Sequence, residues 1–144
     1  SAEGANAVVD WLTRTHDAQL AETHASWVVV TSDRAFKVKK PVRMTFLDYS
    51  GLDDRLRACR EEVRVNAELA PGIYLGVRPV LSSGDGQFEF GELGTVEGAV
   101  EFIVEDALIA EYGWNIRFLP TSPLEFASPF GNFADVEFSR MRGV

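Results

Sequence analysis

The stretch Arg34-Ala35-Phe36-Lys37-Val38-Lys39-Lys40 decides the fold, because its side chains alternate in character along an extended strand. Successive side chains of a β-strand point to opposite faces of the sheet. One face of this strand therefore carries small and basic side chains and the other carries apolar ones, namely Ala35, Lys37 and Lys39 against Phe36 and Val38. The sequence predicts a strand with one basic face and one apolar face.

Further extended segments surround this strand in the sequence. Aromatic and β-branched residues favour strands, and they recur in several of these segments. The segments are residues 18–22, 27–31, 73–81, 87–91 and 100–104. The turn Ser32-Asp33 predicts antiparallel pairing between the basic strand and the segment before it. The loop Ser82-Ser83-Gly84-Asp85-Gly86 is a strong hairpin signal.

The clearest helix follows the basic strand, with Ser50 as its predicted N-cap, Asp53 in a capping-box-like position and Pro71-Gly72 at its end. The apolar stripe of this helix consists of Leu52, Leu56, Cys59, Val63 and Ala70. At about 100° per residue, Glu62 lies at the edge of the stripe, whereas Glu61 points nearly opposite to it. We therefore expect Glu62 to reach the sheet and Glu61 to face water.

These elements predict an α+β fold in which one long helix covers a face of a twisted antiparallel sheet. A short amphipathic helix is expected before the sheet, over residues 5–13, because its apolar residues recur at helical spacing. His16, which follows it, is expected to face solvent. We assign residues 1–105 to the folded unit and residues 106–144 to an irregular, aromatic-rich tail.

The composition indicates a folded, acidic chain. Of its 144 residues 46% are hydrophobic and 25% are charged, and the net charge is −8. This charge disfavours nucleic acid as a partner, because backbone phosphates attract lysine and arginine. No apolar run approaches the ~20 residues of a membrane span, and the first residues lack a signal-peptide pattern. We therefore expect a cytoplasmic protein without a membrane partner.

Basic residues are concentrated within ten positions of the basic strand and its continuation. They are Arg34, Lys37, Lys39, Lys40 and Arg43. Such a cluster in an acidic protein points to a small anionic ligand. Composition alone favours a second interpretation, in which the lysines protect an exposed edge strand from pairing with other chains.

Several ordered blocks of the sequence carry a resemblance to a known family. The blocks are residues 22–28, Asp33-Arg34-Ala35-Phe36-Lys37-Val38-Lys39-Lys40-Pro41-Val42, residues 46–50, Cys59-Arg60-Glu61-Glu62-Val63-Arg64-Val65-Asn66 and residues 69–77. Together they resemble the bacterial aminoglycoside-phosphotransferase-like proteins of the kinase-like superfamily, a type often fused to an AAA ATP-binding domain. The resemblance covers about residues 19–105 and implies a kinase-like N-terminal lobe.

The resemblance also implies roles in binding ATP with Mg²⁺. Ala35 and Lys37 take the place of the Ala-x-Lys on the third strand, and Glu62 takes that of its helix partner. Lys37 would bridge phosphate oxygens, and Ala35 would leave space for the adenine ring. The loop at residues 23–26 would close over the phosphates, with contacts from His24 and Ser26. Without the resemblance, Lys37 and Glu62 predict an ordinary surface ion pair.

The sequence offers few groups for catalysis. Its two histidines, His16 and His24, match no nucleophile motif and no metal-ligand spacing, so no metal site within the chain is predicted. A kinase-like enzyme needs an aspartate that orients the acceptor hydroxyl and further ligands for magnesium. Beyond Glu105 the chain has two aspartates, Asp106 and Asp135, and neither lies in a catalytic-loop pattern.

Two function classes follow from the sequence. The first is the nucleotide-binding lobe of an ATP-dependent small-molecule phosphotransferase, incomplete and inactive alone, with a hydroxyl acceptor and a missing C-terminal lobe or AAA domain as its partners. The second is a non-catalytic module that binds a nucleotide or another partner. The resemblance ends abruptly at residue 105, which suggests a truncated or frame-shifted reading frame.

Overall fold

Residues 2–69 and 72–107 are described by the computed structural model, and they form two helices, a six-stranded sheet and a two-stranded hairpin. The helices are α1 (Ala2–His16) and α2 (Leu52–Leu69). The strands are β1 (Gln19–Glu22), β2 (Ser26–Val30), β3 (Arg34–Lys39), β4 (Arg43–Met44), β5 (Leu47–Asp48), β6 (Tyr74–Gly84), β7 (Gln87–Phe90) and β8 (Ala99–Ala107). Neither helix is long and apolar enough to cross a membrane. The described residues thus form an α+β protein.

The strand order of the large sheet is β1-β2-β3-β8-β6-β7, and all neighbouring strands are antiparallel. The predicted pairing of β2 with β3 is present, with Val28 opposite Lys37. β8 lies between β3 and β6, so Val104 stands opposite Lys37 and Asp106 stands opposite Ala35. The basic strand is therefore central in the sheet. The interpretation of its lysines as protection of an exposed edge is wrong.

α2 packs across one face of the sheet, as predicted. The cluster beneath it contains Cys59, Tyr74, Phe102 and Val104, with Leu52, Leu56 and Val63 partly buried at its margin. Polar residues of α2 also point at the sheet, since Arg55, Glu62 and Asn66 are completely buried. The apolar stripe predicted the packing of the helix on the sheet. Of the three buried polar residues, only Glu62 was predicted to reach the sheet. Ala70, the last residue of the stripe, lies outside the described residues.

The second face of the sheet is covered by α1, so the expectation of one packed helix was incomplete. α1 extends from Ala2 to His16, beyond the predicted range of 5–13. Its buried side chains share a cluster with those of the sheet, and this cluster includes Val8, Trp11, Leu12, Phe36, Val38 and Ile103. Because the face of β3 opposite its lysines is apolar, it needs such a cover.

His16 packs on this second core and does not simply face solvent. The centre of its ring lies 6.2 Å from that of Trp11, 5.8 Å from that of Phe36 and 5.9 Å from that of Phe90. Its Nδ1 atom is 3.1 Å from the Leu12 carbonyl oxygen. The expectation failed because the helix was predicted to end about one turn too early. The additional turn keeps His16 above the aromatic side chains of the sheet.

Local sequence signals predicted the turn between β6 and β7 but not the N-cap of α2. The β6–β7 hairpin turns at Asp85-Gly86, whose φ angles of 53° and 74° are those of a type I′ turn. α2 begins after Gly51, whose N–H donates to Asp54 Oδ2 at 3.2 Å. Gly51 is the N-cap and not Ser50, because the Gly51 carbonyl oxygen accepts the first helical hydrogen bond from the Arg55 N–H at 3.1 Å. The Ser50 hydroxyl donates to Asp48 Oδ1 at 2.6 Å.

β8 continues through Ala107 and carries the sheet past residue 105, where the folded unit was predicted to end. Glu105 and Asp106 are both buried within this strand. The predicted aromatic-rich tail from residue 108 onward lies outside the described residues.

Candidate functional site

Lys37 lies in a buried group of charged and polar side chains between the sheet and α2. Its Nζ atom is 3.2 Å from Glu62 Oε2 and 3.5 Å from Asp106 Oδ2. The same ammonium donates a hydrogen bond of 3.2 Å to the Tyr74 hydroxyl. The predicted contact between Lys37 and Glu62 is present, because β3 and α2 turn these two side chains toward one interior.

Glu62 is shared between two lysines. Lys39 Nζ donates a hydrogen bond of 2.6 Å to Glu62 Oε1, and both side chains are fully buried. Lys39 follows Lys37 by two positions, so both project from the same face of β3. The ammonium of Lys39 also lies 5.7 Å from the centre of the Tyr49 ring. Sequence analysis placed Lys39 on this face and assigned it no partner.

The neighbours of Glu62 on α2 show why this glutamate enters the cluster. Glu61 faces outward with its side chain 46% exposed and forms an ion pair with Arg64, as the helical geometry predicted. The hydrogen bond from Arg64 lowers the pKa of Glu61. Asn66 lies one turn beyond Glu62 on the inner face, and its Nδ2 donates to the Glu62 carbonyl oxygen at 2.9 Å.

Burial and neighbouring groups act in opposite directions on Lys37. Removal from water lowers the pKa of its ammonium, whereas Asp106, Tyr74 and Glu62 raise it. The attractive contacts prevail, so the pKa of Lys37 is raised well above its ordinary value and the side chain stays charged. Burial raises the pKa of Tyr74, which keeps its hydroxyl neutral.

The buried cluster is balanced in charge. It combines two ammonium groups with two carboxylates, those of Lys37, Lys39, Glu62 and Asp106. Charged groups are tolerated in a protein interior when they are closely paired, since each ion loses its hydration. This pairing explains how four ionisable side chains are accommodated under α2. It also means that the four side chains together offer an anion no net positive charge.

The other predicted binding residues lie in different environments. Ala35 is buried and precedes Lys37 by two positions on the same face of β3. Ser26 is buried at the start of β2 and stands opposite Lys39. His24 is exposed in the turn before β2. The sheet thus brings Ala35 and Ser26 to the face that carries the cluster and leaves His24 at the surface.

The turn at residues 23–26 is closed by its own hydrogen bonds. Thr23 Oγ1 accepts from the backbone N–H groups of Ser26 at 3.0 Å and Ala25 at 3.3 Å. The Thr23 N–H donates to the Ser26 carbonyl oxygen at 2.8 Å. The backbone N–H of Ser26 is therefore already engaged within the turn. Threonine hydroxyls form such local bonds readily, and sequence analysis included Thr23 in the loop without giving its side chain a role.

Sequence analysis missed Asp106 and Tyr74. Asp106 was assigned to the tail, although it alternates with Phe102 and Val104 in a way that places all three on one face of a strand. Tyr74 begins β6 and is paired with Asp106 across the sheet. The contact of Tyr74 with Lys37 depends on the order of the strands, so no local pattern predicts it.

A second buried ion pair anchors the start of α2. Arg55 Nε donates to Glu101 Oε1 at 3.0 Å, and each of these side chains is 1% exposed. Arg55 Nη1 also donates to the carbonyl oxygens of Tyr49 at 2.9 Å and Ser50 at 3.1 Å. These bonds join α2 to β8 and to the loop before the helix. They hold in place the helix that carries Glu62.

The described residues contain no cluster of side chains that could hold a metal ion. Within residues 2–69 and 72–107 there is no group of three or more His, Cys, Asp or Glu side chains placed to hold a metal ion. The carboxylates of Glu62 and Asp106 approach the ammonium of Lys37. Within this part of the chain these two carboxylates are ion-pair partners of Lys37, and the described residues do not form a complete site for Mg²⁺.

The fold and site define an α+β protein whose antiparallel sheet buries a lysine–carboxylate cluster beneath one helix. Part of the chain is similar to uncharacterized proteins Rv2004c and MT2060 of Mycobacterium tuberculosis and Mb2027c of Mycobacterium bovis. Each is 43% identical over 68 residues, which make up 47% of this chain and 14% of the relative. The match thus spans about one seventh of these longer proteins. No family model and no solved structure matches the chain.

Proposed function

We propose that residues 19–105 are the nucleotide-binding lobe of an ATP-dependent small-molecule phosphotransferase, similar to the aminoglycoside-phosphotransferase-like proteins. The observation that carries this proposal is the buried contact of 3.2 Å between Lys37 on the third strand and Glu62 on the packed helix. In kinase-type folds a lysine of the third strand contacts the phosphates of ATP, and a helix glutamate holds that lysine.

The surroundings of Lys37 support a phosphate as the ligand. Its raised pKa keeps a positive charge on the side chain at neutral pH. Glu62 and the Tyr74 hydroxyl restrict the position of the ammonium, so it is aimed and not free to rotate in solvent. Ala35 lies on the same strand face and has a small side chain. The proposal places the adenine ring beside it.

The proposal extends to groups outside the described residues. Mg²⁺ would accompany ATP, and its ligands, like the group that orients the acceptor hydroxyl, would come from a C-terminal lobe or an AAA domain. The acceptor would be a small molecule, with aminoglycosides as candidates from the resemblance. A cytoplasmic location belongs to the same proposal, because ATP is the ligand.

A non-catalytic binding module is a second candidate, and the charge balance of the cluster favours it. Each ammonium of the Lys37–Lys39 pair already has a carboxylate within 3.5 Å. A cluster matched in this way holds α2 on the sheet whether or not a ligand binds. In this second proposal the lobe binds a nucleotide or another partner without transferring a phosphoryl group.

Calorimetry with ATP and magnesium tests the proposed binding by wild type and Lys37→Met. We expect weak binding by the wild type, with a Kd on the order of 1 mM, because one lobe provides half of an interlobe site. Lys37→Met should show no measurable binding. Arg64→Met is the matched control, since it removes one positive charge from a side chain of α2 that is 65% exposed.

Circular dichroism should first establish that all three proteins are folded at the temperature of the titration. The proposal predicts that Arg64→Met binds like the wild type. Equal binding by Lys37→Met and wild type, or no binding by either, would show that Lys37 is not a phosphate ligand.

A further inference from the structure

Three contacts within the cluster differ clearly in length. Lys39 holds Glu62 Oε1 at 2.6 Å, whereas Lys37 is 3.2 Å from Glu62 Oε2. The contact between Lys37 and Asp106 Oδ2 is the longest, at 3.5 Å. Hydrogen bonds between ammonium and carboxylate groups are strongest at about 2.8 Å. Asp106 is therefore the carboxylate that lies farther from Lys37, although it raises the pKa of Lys37 more than Glu62 does.

A phosphate can pair with Lys37 only if one carboxylate moves away, because adjacent negative charges repel strongly in a protein interior. Displacing Glu62 would also break its short contact with Lys39, which is completely buried. Displacing Asp106 leaves that contact intact. All four side chains are buried, with Lys37 and Asp106 4% exposed and Lys39 and Glu62 0% exposed.

We propose that Asp106 is a built-in counter-ion that a phosphate group of a polyphosphate ligand replaces at Lys37, while Lys39 acts as a positioning residue that keeps Glu62 in place. This inference rests on the proposed nucleotide-binding function and adds Asp106 and Lys39 to its site. The exchange makes and breaks no covalent bond, since one anion leaves the ammonium and another takes its position. Weak binding then follows from competition within the protein.

The counter-ion role is tested by calorimetry on Asp106→Asn with ATP and with inorganic tripolyphosphate, at constant ionic strength. The amide has nearly the shape of the carboxylate but does not repel phosphate. Both ligands should therefore bind at least about tenfold more tightly than they bind the wild type. Asp53→Asn is the control, because it removes the same charge from an exposed position in the first turn of α2 and should change the affinity less than about twofold.

The positioning role is tested with Lys39→Met and Lys39→Arg at a temperature where circular dichroism shows both to be folded. Without the ammonium of Lys39, Glu62 should hold Lys37 more strongly, and tripolyphosphate should bind at least about fivefold more weakly. Lys39→Arg keeps the positive charge and should recover most of the affinity. If Lys39→Met does not fold, the double variant Asp106→Asn/Lys39→Arg should still show the tightened binding.

The outcomes separate this inference from the function on which it rests. Lys37-dependent ATP binding by the wild type that Asp106→Asn does not tighten overturns the inference and leaves the proposed function standing. Tightened binding that persists in Asp106→Asn/Lys37→Met also overturns it, since Lys37 is then not the ligand. Failure of both ligands to bind wild type and Asp106→Asn overturns the inference and the function together.

Discussion

Glu62 and Glu61 are adjacent residues in opposite environments. Glu62 is completely buried and contacts two lysines, whereas Glu61 is 46% exposed and pairs with Arg64 on the surface. Removing one member of a buried ionic group leaves an unpaired charge in the interior, which destabilises a protein by about 3–5 kcal/mol. Exposed ion pairs contribute about 0–1 kcal/mol. The two glutamates therefore form a matched pair for measuring the effect of burial.

We predict that Glu62→Gln lowers the free energy of unfolding by about 3 kcal/mol, because it neutralises the buried carboxylate that contacts both Lys37 and Lys39. Glu61→Gln should lower it by less than about 1 kcal/mol. Urea unfolding of both variants at neutral pH measures the difference. Equal losses would mean that Glu62 does not hold the two lysines together.

At the scale of the element, α2 combines an apolar stripe with a line of buried polar residues. Cys59 and the partly buried Val63 belong to the apolar cluster, while Arg55, Glu62 and Asn66 make ionic and hydrogen-bond contacts. The apolar contacts supply most of the affinity of the helix for the sheet, since they remove hydrocarbon from water. The polar contacts fix its orientation through specific geometry.

We predict that Val63→Asp destabilises the fold by about 2–4 kcal/mol, because a carboxylate without a basic partner enters the apolar margin of α2. Leu69→Asp is the control, since it makes the same chemical change at a position that is 62% exposed. The control should cost less than about 1 kcal/mol, including an unfavourable interaction with the helix dipole. Thermal or urea unfolding measures the stability of both variants. Similar losses of stability would contradict the packing of Val63.

The helices and strands were easier to predict than the contacts between them. The alternation in β3 and the helical angle of Glu62 were confirmed, because each is a local pattern of a few residues. The length of α1 and the burial of Asp106 were not predicted. Both depend on contacts with strands that are distant in sequence, and local propensity is weak at the ends of elements.

At the scale of the whole molecule, the described sheet has a helix on each face and a charged cluster on one of them. Kinase-type catalysis requires groups on both sides of the nucleotide. Beyond Glu105 the sequence has two aspartates, Asp106 and Asp135, and no histidine. Asp106 contacts the ammonium of Lys37, so it is not placed as a base for an acceptor hydroxyl. Under the proposed function, the described residues would supply the lysine that contacts the nucleotide phosphates.

We predict that this chain does not transfer phosphate from ATP to any of a panel of aminoglycosides. Metal ions and positioned groups account for most of the rate of phosphoryl transfer, and the proposal places them outside the described residues. An ADP-release assay with magnesium measures the activity, and Lys37→Met controls for contaminating ATPases. Release of ADP that disappears in Lys37→Met would contradict the prediction.

The sequence by itself determined the α+β class, the two faces of β3 and the inward direction of Glu62. These properties depend on periods of about 2 and 3.6 residues, which are visible within a short window. Only the tertiary structure decided that Glu62 serves two lysines, that Asp106 and Tyr74 join them, and that α1 covers the second face. The physical reason is that β8 lies between β3 and β6. This order of strands depends on burying side chains that are far apart in the sequence.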